Sequence, residues 1–269
     1  MIPAAVRHVR ASTLDEALDA LADPEAKALA GGQSLLPVMK LRIVRPSVLV
    51  DIGRLELGGF HLRDNELRLG ALTTWDTLES ASELERPSFA AIAECAAEIG
   101  DLQVRNRGTL GGSLAHADPA SDMPAVVLAL GAELVLRAAD GERTLAAEEF
   151  FVGPFTTALA PGELITEVVF PLVAGSGSAY VKVEHPASGF ALAGTAAQVT
   201  RDGKQRVAVT GVGSHPFLLP ADADPFDALA DAEIYGDRFA PVEYRRHLAG
   251  VVARRALDRA QERMERCDE

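Results

Sequence analysis

The stretch AGGQSLLP, residues 30–37, places a pair of glycines between a predicted strand and a predicted short helix. Glycine has no Cβ and tolerates positive φ, so consecutive N–H groups at such a pair can turn toward one oxyanion without steric interference. The helix predicted over residues 35–41 would add its first amides and its positive dipole end, and Ser34 would add a hydroxyl donor. Taken alone, the segment fits a phosphate site and a simple turn equally well.

A second glycine-rich segment, TLGGSLA, occupies residues 109–115, about eighty residues after the first. It lies between two predicted helical segments, and Asp118-Pro119 is typical of the N-cap and first position of a helix, here predicted over residues 123–130. Two such loops in one chain predict a dinucleotide more strongly than either loop alone. The first loop lacks the G-x-G-x-x-G spacing of a Rossmann site, and the chain has no Walker lysine, G-x-S-x-G elbow or H-E-x-x-H motif.

Composition narrows the class of protein. The 269 residues are 48% hydrophobic and 24% charged, enough to bury the cores of two or three domains. A net charge of −13 argues against a nucleic-acid partner, because nucleic-acid binding depends on lysine and arginine. Cys95 and Cys267 are too few for a disulfide framework, an iron–sulfur cluster or a four-cysteine zinc site. With no signal-peptide core and no apolar run of bilayer length, we expect a cytoplasmic protein without a transmembrane segment.

Hydrophobic periodicity and turn signals predict an α+β fold. Thr13-Leu14-Asp15-Glu16 has the pattern of a capping box that opens a helix over residues 14–22. The first fifty-odd residues form a small α/β unit, because this helix is followed by strands over residues 26–30 and 47–52. Further strands are predicted over residues 67–72, 132–138, 143–146 and 164–172, and further helices over residues 75–80, 89–99 and 123–130.

The small-residue run of residues 174–178 predicts a flexible linker and the main domain boundary. Beyond it the pattern predicts a strand over residues 180–183, a hairpin around Asp202-Gly203, and helices over residues 226–232 and 242–263. The last of these helices is long and amphipathic.

Four polar residues, His116, Asp118, Ser121 and Asp122, crowd together after the second loop. We interpret them as helix-cap and ligand-contact residues, and no metal site is expected. Asp122 is the best candidate to accept hydrogen bonds from ligand hydroxyls. A favourable interaction with the dipole of the following helix explains it equally well.

Several segments, in this order, resemble the FAD-binding medium subunit of the molybdenum hydroxylases, the family that includes carbon monoxide dehydrogenase and xanthine dehydrogenase. They are AGGQSLLPVMKLR (30–42), GALTT (70–74), QVRNRGTLGGSLAHADPASDMPA (103–125), PGELI (161–165), HPASGFALAG (185–194) and EYRRHLAGVVARRAL (243–257). The resemblance covers nearly the whole chain.

This resemblance implies a two-part FAD-binding domain of the PCMH type over residues 1–173, with subdomains of about 1–55 and 56–173. A C-terminal domain of a small antiparallel sheet with helices would follow over residues 178–269. It further implies an electron-transfer flavoprotein subunit that holds FAD. Its partners would be a large molybdopterin-binding subunit and a small [2Fe-2S] subunit, assembled as a dimer of heterotrimers, with the substrate pocket on another chain.

The resemblance also assigns site residues. The FAD pyrophosphate would be held by the first loop through Gly31, Gly32, Gln33, Ser34 and Leu35. The second loop would contribute Thr109, Gly111, Gly112, Ser113 and Leu114. Asp122 would contact the flavin, Lys182 is a weaker candidate from the C-terminal domain, and Phe155 would cover the flavin ring. No catalytic residue is assigned.

Three departures from the family pattern affect these assignments. Ser113 stands where many relatives have asparagine, so its side-chain hydrogen bond would be shorter or water-mediated. Phe155 stands where some relatives have a tyrosine, which leaves apolar contact with the ring but removes a hydroxyl. His8 and Ala11 replace an expected tyrosine and proline near the start of the chain.

Two other functions stay open. One is a self-sufficient FAD-dependent oxidoreductase, which needs an acid or base beside the flavin that we cannot identify in the sequence. The other is a non-catalytic nucleotide-binding module, in which both loops are only turns. The sequence does not specify the substrate or the final electron acceptor.

Overall fold

The structure, a computed structural model, describes residues 2–266. Its helices are α1 Leu14–Leu21, α2 Leu35–Lys40, α3 Trp75–Glu79, α4 Ala90–Ala97, α5 Leu102–Arg105, α6 Leu110–His116, α7 Met123–Ala129, α8 Ala147–Phe150, α9 Pro225–Ala230 and α10 Val242–Arg266. Its strands are β1 Arg7–Arg10, β2 Ala26–Leu29, β3 Val48–Asp51, β4 Phe60–Arg63, β5 Glu66–Gly70, β6 Glu133–Ala138, β7 Gly141–Ala146, β8 Phe151–Gly153, β9 Thr156–Thr157, β10 Leu164–Pro171, β11 Ser176–Glu184, β12 Ala191–Thr200, β13 Gln205–Thr210 and β14 Phe217–Leu218.

The N-terminal unit is a parallel three-stranded sheet in the order β1-β3-β2, packed against α1. The predicted capping box is present: the Thr13 hydroxyl accepts from the Glu16 N–H at 3.2 Å, and the Glu16 carboxylate accepts from the Ser12 N–H at 2.7 Å. Because parallel strands end at the same edge, the first glycine loop leaves β2 at the carboxyl edge of this sheet.

The central unit is a five-stranded antiparallel sheet in the order β4-β5-β10-β6-β7. Alternate residues of β5, β6 and β10 point into one core, which also contains buried residues of α3, α4, α6 and α7. The helix α6 that carries the second glycine loop is therefore part of the central core, with Leu110 and Leu114 fully buried.

The C-terminal unit is an antiparallel sheet in the order β11-β12-β13-β14, packed between two layers. One face packs on α10, where Val252, Ala256 and Ala260 are fully buried. The other face places Tyr180, Ala196 and Ala208 in the core of the central unit. The hydrophobic core is thus continuous from the second glycine loop into the C-terminal sheet.

The predicted flexible linker is wrong over residues 176–178. Only residues 174–175 form a turn, and β11 begins at Ser176. The small residues are required by packing: a Cβ at Gly177 would lie 2.1 Å from the Ala260 carbonyl oxygen, and the buried Ser178 hydroxyl donates to the Pro87 carbonyl at 3.1 Å. The division into domains at this point stays a prediction.

A carboxylate on α4 joins the central unit to α10. Glu94 accepts hydrogen bonds from the Arg263 guanidinium at 2.5 and 2.9 Å, from Arg259 at 3.1 Å and from the Tyr180 N–H at 2.9 Å. Burial by itself raises the pKa of Glu94, but the hydrogen bonds and the two arginine charges outweigh it and hold the pKa below its usual value. The ionised form is therefore the one that stabilises the contact between the units.

We expect Glu94→Gln to lower the free energy of unfolding at pH 7 by about 1–3 kcal/mol, because two arginines lose their anionic partner. The pKa of Glu94 is lower in the folded state than in the unfolded state. The extra stability of the wild type over Glu94→Gln is therefore complete above pH 4.5 and is lost as the pH falls through the folded pKa. Denaturant unfolding followed by circular dichroism, at pH 7 and at several lower pH values, measures this. Glu85→Gln, an exposed carboxylate, is the control. A difference between wild type and Glu94→Gln that did not shrink in acid would contradict the assignment.

Candidate cofactor-binding site

The first glycine loop carries a run of free backbone donors. Within residues 2–266, the N–H groups of residues 31–35 are not hydrogen-bonded to any protein acceptor. Gly32 turns the chain at a φ of +75°, and all but one of the five residues are partly buried. Partly buried backbone N–H groups are normally paired. Five successive free donors at a glycine turn therefore fit an oxyanion such as a phosphate.

The second glycine loop differs, because its amides are already used. The N–H groups of residues 110 and 111 donate to the carbonyls of Thr73 and Ala71 at 3.0 and 2.8 Å. Those of residues 112 and 113 donate to the hydroxyl and carbonyl of Thr109, the N-cap of α6, at 3.3 and 3.1 Å. The glycine at 111 is required by packing, since a Cβ there would lie 2.6 Å from the Ala71 Cβ. The expectation that both loops present bare amides thus fits only the first loop.

The two loops meet in space. A Cβ at Gly31 would lie 1.9 Å from the Arg107 carbonyl oxygen and 3.0 Å from the Gly108 Cα. A Cβ at Gly112 would lie 3.7 Å from the Ala30 Cβ. Residues 30–35 and 107–113, which are far apart in sequence, form one continuous surface, and Ser34 and Ser113 are partly exposed there.

Asp122 and Lys182 form a buried ion pair between α7 and β11. The Lys182 ammonium, 2% exposed, donates to an Asp122 carboxylate oxygen at 3.2 Å and to the Glu98 and Gly189 carbonyls at 2.7 and 2.9 Å. The second Asp122 oxygen accepts from the Tyr180 hydroxyl at 2.5 Å. Burial raises the pKa of Asp122, and the Lys182 charge opposes this rise. Both side chains have protein partners, so their contact with the flavin stays a prediction.

Phe155 lies at the tip of the turn between β8 and β9, 57% exposed, with a φ of +51° that is rare for a bulky residue. Its N–H donates to the Ala117 carbonyl at 2.9 Å. Its ring lies 5.2 Å from the His116 ring, centroid to centroid. Phe155 is thus placed at the carboxyl end of α6, whereas Gly111 and Gly112 are at the amino end. Burial lowers the pKa of His116, so its ring is neutral at pH 7.

Sequence reasoning missed two groups of residues at this site. The segment 71–75 fixes the second loop through backbone bonds, and its GALTT sequence was part of the resemblance without a role assigned to it. The sequence also gives no indication of Thr210 and Gly211, which donate to the carbonyls of Ser121 and Pro119 in the connection after the second loop. Within residues 2–266, no group of His, Cys, Asp and Glu is arranged to hold a metal ion. Cys95 is buried, and Cys267 lies outside the described residues.

Comparison with known proteins identifies the family of this chain. Residues 4–173 match the model of the FAD-binding domain in molybdopterin dehydrogenase. The chain belongs to this family. This membership confirms the resemblance and FAD as the cofactor.

Similar proteins cover nearly the whole chain. The medium chain of glyceraldehyde dehydrogenase from Sulfolobus acidocaldarius is 40% identical over 81% of this chain and 79% of its own length. The medium chain of carbon monoxide dehydrogenase from Hydrogenophaga pseudoflava is 36% identical over 97% and 98%. A solved structure of carbon monoxide dehydrogenase from Hydrogenophaga pseudoflava superposes with a TM-score of 0.91 at 35% identity, covering 98% of this chain and 99% of that one.

These relatives are flavoprotein components of multi-subunit oxidoreductases, and so is this chain. The fold is that of a PCMH-type FAD-binding protein, as expected. Among residues 2–266, no helix combines the length and apolar character needed to cross a bilayer.

We expect Gly32→Ala to weaken FAD binding at least tenfold. The added Cβ would lie 2.9 Å from the Leu36 side chain, and the alanine disfavours the φ of +75° that turns the free amides. Gly203→Ala is the matched control, because Gly203 has a φ of +81° in a turn with nothing within 4 Å of the added atom. Both variants should lose about 1 kcal/mol of stability. Equal FAD affinity in the two variants, measured by flavin fluorescence titration, would contradict the role of the first loop.

Proposed function

We propose that the chain is the electron-transfer subunit of a molybdenum hydroxylase complex, in which electrons from [2Fe-2S] clusters of a partner chain pass through bound FAD to an external acceptor. When bound, FAD supplies the capacity to accept and release electrons, which side chains lack. The contribution of this chain is to hold FAD, to orient it and to limit its contact with water.

The observation that carries this proposal is the run of free amides in the first loop. The N–H groups of residues 31–35 would donate to the FAD pyrophosphate, with the Ser34 hydroxyl as a further donor. Thr109, Gly111, Gly112, Ser113 and Leu114 would form the adjoining wall. Because the Gly31 backbone touches the Gly108 backbone, this wall is fixed relative to the donors.

The buried ion pair after the second loop favours a relay over a self-sufficient enzyme. The Asp122 carboxylate, the best acidic candidate near that loop, is held by Lys182 and Tyr180. A flavin enzyme that acts on its own substrate needs a positioned acid or base with a free polar atom. The Asp122 carboxylate instead accepts from Tyr180 and Lys182. The remaining hydrogen bonds of the Lys182 ammonium go to backbone carbonyls.

The relatives also bear on the partner subunits of this chain. The glyceraldehyde and carbon monoxide dehydrogenase relatives are medium chains of enzymes with different substrates, yet both are similar to this chain over most of its length. The substrate would therefore be chosen by another subunit. We propose a large molybdopterin-binding subunit and a small [2Fe-2S] subunit as partners, assembled as a dimer of heterotrimers in the cytoplasm.

Co-expression and purification test the proposal. The full chain alone should be yellow, or become yellow on addition of FAD, with one FAD per chain released on denaturation. With its partners it should co-purify as a complex whose flavin is reduced by substrate only when the iron–sulfur chain is present. A chain that refuses FAD overturns the flavin assignment, and a chain that reduces its flavin with substrate in the absence of partners favours the self-sufficient enzyme.

Phe155→Ala tests whether this ring covers the flavin. We expect FAD affinity to fall roughly two- to tenfold, the usual range for one aromatic contact, together with a change in the visible circular dichroism of the bound flavin. The unfolding free energy should change by less than about 1 kcal/mol, because the side chain is 57% exposed. Tyr244→Ala, an exposed aromatic of α10, should alter neither flavin signal. Unchanged flavin spectra in Phe155→Ala would remove this residue from the site.

A further inference from the structure

The C-terminal sheet binds the backbone of the connection between α6, the helix that carries the second glycine loop, and α7. Three successive carbonyls of this connection accept hydrogen bonds from the ends of β12 and β13. The Pro119 carbonyl accepts from the Gly211 N–H at 2.9 Å, the Ala120 carbonyl from the Ala191 N–H at 3.3 Å, and the Ser121 carbonyl from the Thr210 hydroxyl at 2.7 Å. The Thr210 hydroxyl also lies 3.1 Å from the Pro119 carbonyl, so the Ser121 carbonyl is the nearer of its two acceptors. Thr210 is fully buried, so this bond is shielded from water.

A contact between two hydroxyls links this connection to the second glycine loop. The Ser121 hydroxyl lies 2.9 Å from the Ser113 hydroxyl, and Ser113 follows the glycine pair in the first turns of α6. A short chain of polar contacts thus runs from β13 through residue 121 into the second glycine loop.

The ends of β12 and β13 that bind the connection are themselves held by an arginine of α10. Arg245 of α10, 9% exposed, donates to the Gly211 carbonyl at 2.5 Å and to the Leu192 carbonyl at 3.2 Å. Its other terminal nitrogen donates to Asp237 at 2.6 Å. Arg245 therefore holds the ends of β12 and β13 through contacts that do not involve the connection 119–121.

We propose that Thr210 is a positioning residue for FAD: through its bond to Ser121 it sets the second glycine loop against the first, so that the C-terminal domain is part of the cofactor site. This inference rests on the proposed function. Its physical basis is that a valine at position 210 would leave the buried Ser121 carbonyl without the donor that fixes it. The second loop would then sample positions away from the surface it shares with the first loop, and binding would include the cost of restoring it.

The same sheet offers a matched control. Thr195 of β12 is as fully buried as Thr210, but its hydroxyl has no hydrogen-bond partner within residues 2–266. In the strand register Thr210 is opposite Gly194, so Thr195 lies one position away and on the opposite face, toward α10. Threonine to valine is the same chemical change at both positions, and only at 210 does it remove a hydrogen bond.

The test compares the full-length variants Thr210→Val, Thr195→Val and Thr210→Ser with the wild type. FAD dissociation constants are measured by fluorescence titration, and the visible circular dichroism of bound FAD and the unfolding of the FAD-free protein are recorded. We expect Thr210→Val to bind FAD about three- to tenfold more weakly with an altered flavin spectrum. Thr195→Val should bind as the wild type does, and Thr210→Ser, which keeps the hydroxyl, should restore both the affinity and the spectrum.

The outcomes separate this inference from the proposal on which it rests. A wild-type chain that binds no FAD overturns both. A wild-type chain that binds FAD, with Thr210→Val matching Thr195→Val in affinity and spectrum, overturns only the positioning role. Should Thr210→Val fail to fold, Ser121→Ala decides, because it removes the hydroxyl contact with Ser113 and leaves the Thr210 bond to the 121 carbonyl. It should weaken FAD binding about two- to fivefold, and wild-type affinity in Ser121→Ala would overturn the inference.

Discussion

The contact between the two glycine loops constrains the rest of the structure. At Gly31 the backbone of the first loop approaches the Arg107 carbonyl so closely that a Cβ would lie 1.9 Å from its oxygen. No side chain fits between two backbones at this separation. A side chain at position 31 would therefore push the N-terminal unit, whose parallel sheet ends at this loop, away from the central unit. That arrangement leaves the amides of residues 31–35 without protein acceptors beside a wall that is already hydrogen-bonded.

The two loops are held by different forces. The first is a glycine turn whose donors stay free, whereas the second is fixed by backbone bonds to segment 71–75 and by the C-terminal sheet. This division is physically reasonable for binding a charged, extended molecule. Under the proposed function, free amides would supply the attraction for phosphate, and a rigid neighbouring wall would limit the conformational entropy lost on binding. The continuous core from α6 to the C-terminal sheet supplies that rigidity.

Sequence reasoning was accurate where the signal is local. The capping box at Thr13, the strand-loop-helix order around Gly31 and the hairpin at Asp202-Gly203 were all predicted, because each depends on residues within a few positions. It does not distinguish the two glycine loops, because the carbonyls that accept from the amides of residues 110 and 111 belong to Thr73 and Ala71, which are far away in the sequence. Small residues at 176–178 are typical of a flexible linker, but close packing on α10 requires a small residue there too. Glycine and serine occur both in flexible linkers and where elements pack closely, and only the tertiary structure distinguishes the two cases.

The buried pair of Asp122 and Lys182 completes this argument. Asp122 precedes α7, and Lys182 lies on β11, so the pair fastens the amino end of α7 to the C-terminal sheet while Arg206 of β13 binds the carbonyls of Leu128 and Ala129 at the other end. Breaking one partner of a buried pair costs more than the pair contributes, because a charge is left alone in a medium of low polarity. The C-terminal sheet thus holds the connection between α6 and α7 at residues 119–122 and also holds the carboxyl end of α7. A chain ending at residue 173 would keep the bonds between the second loop and segment 71–75 but would lack these contacts of the C-terminal sheet.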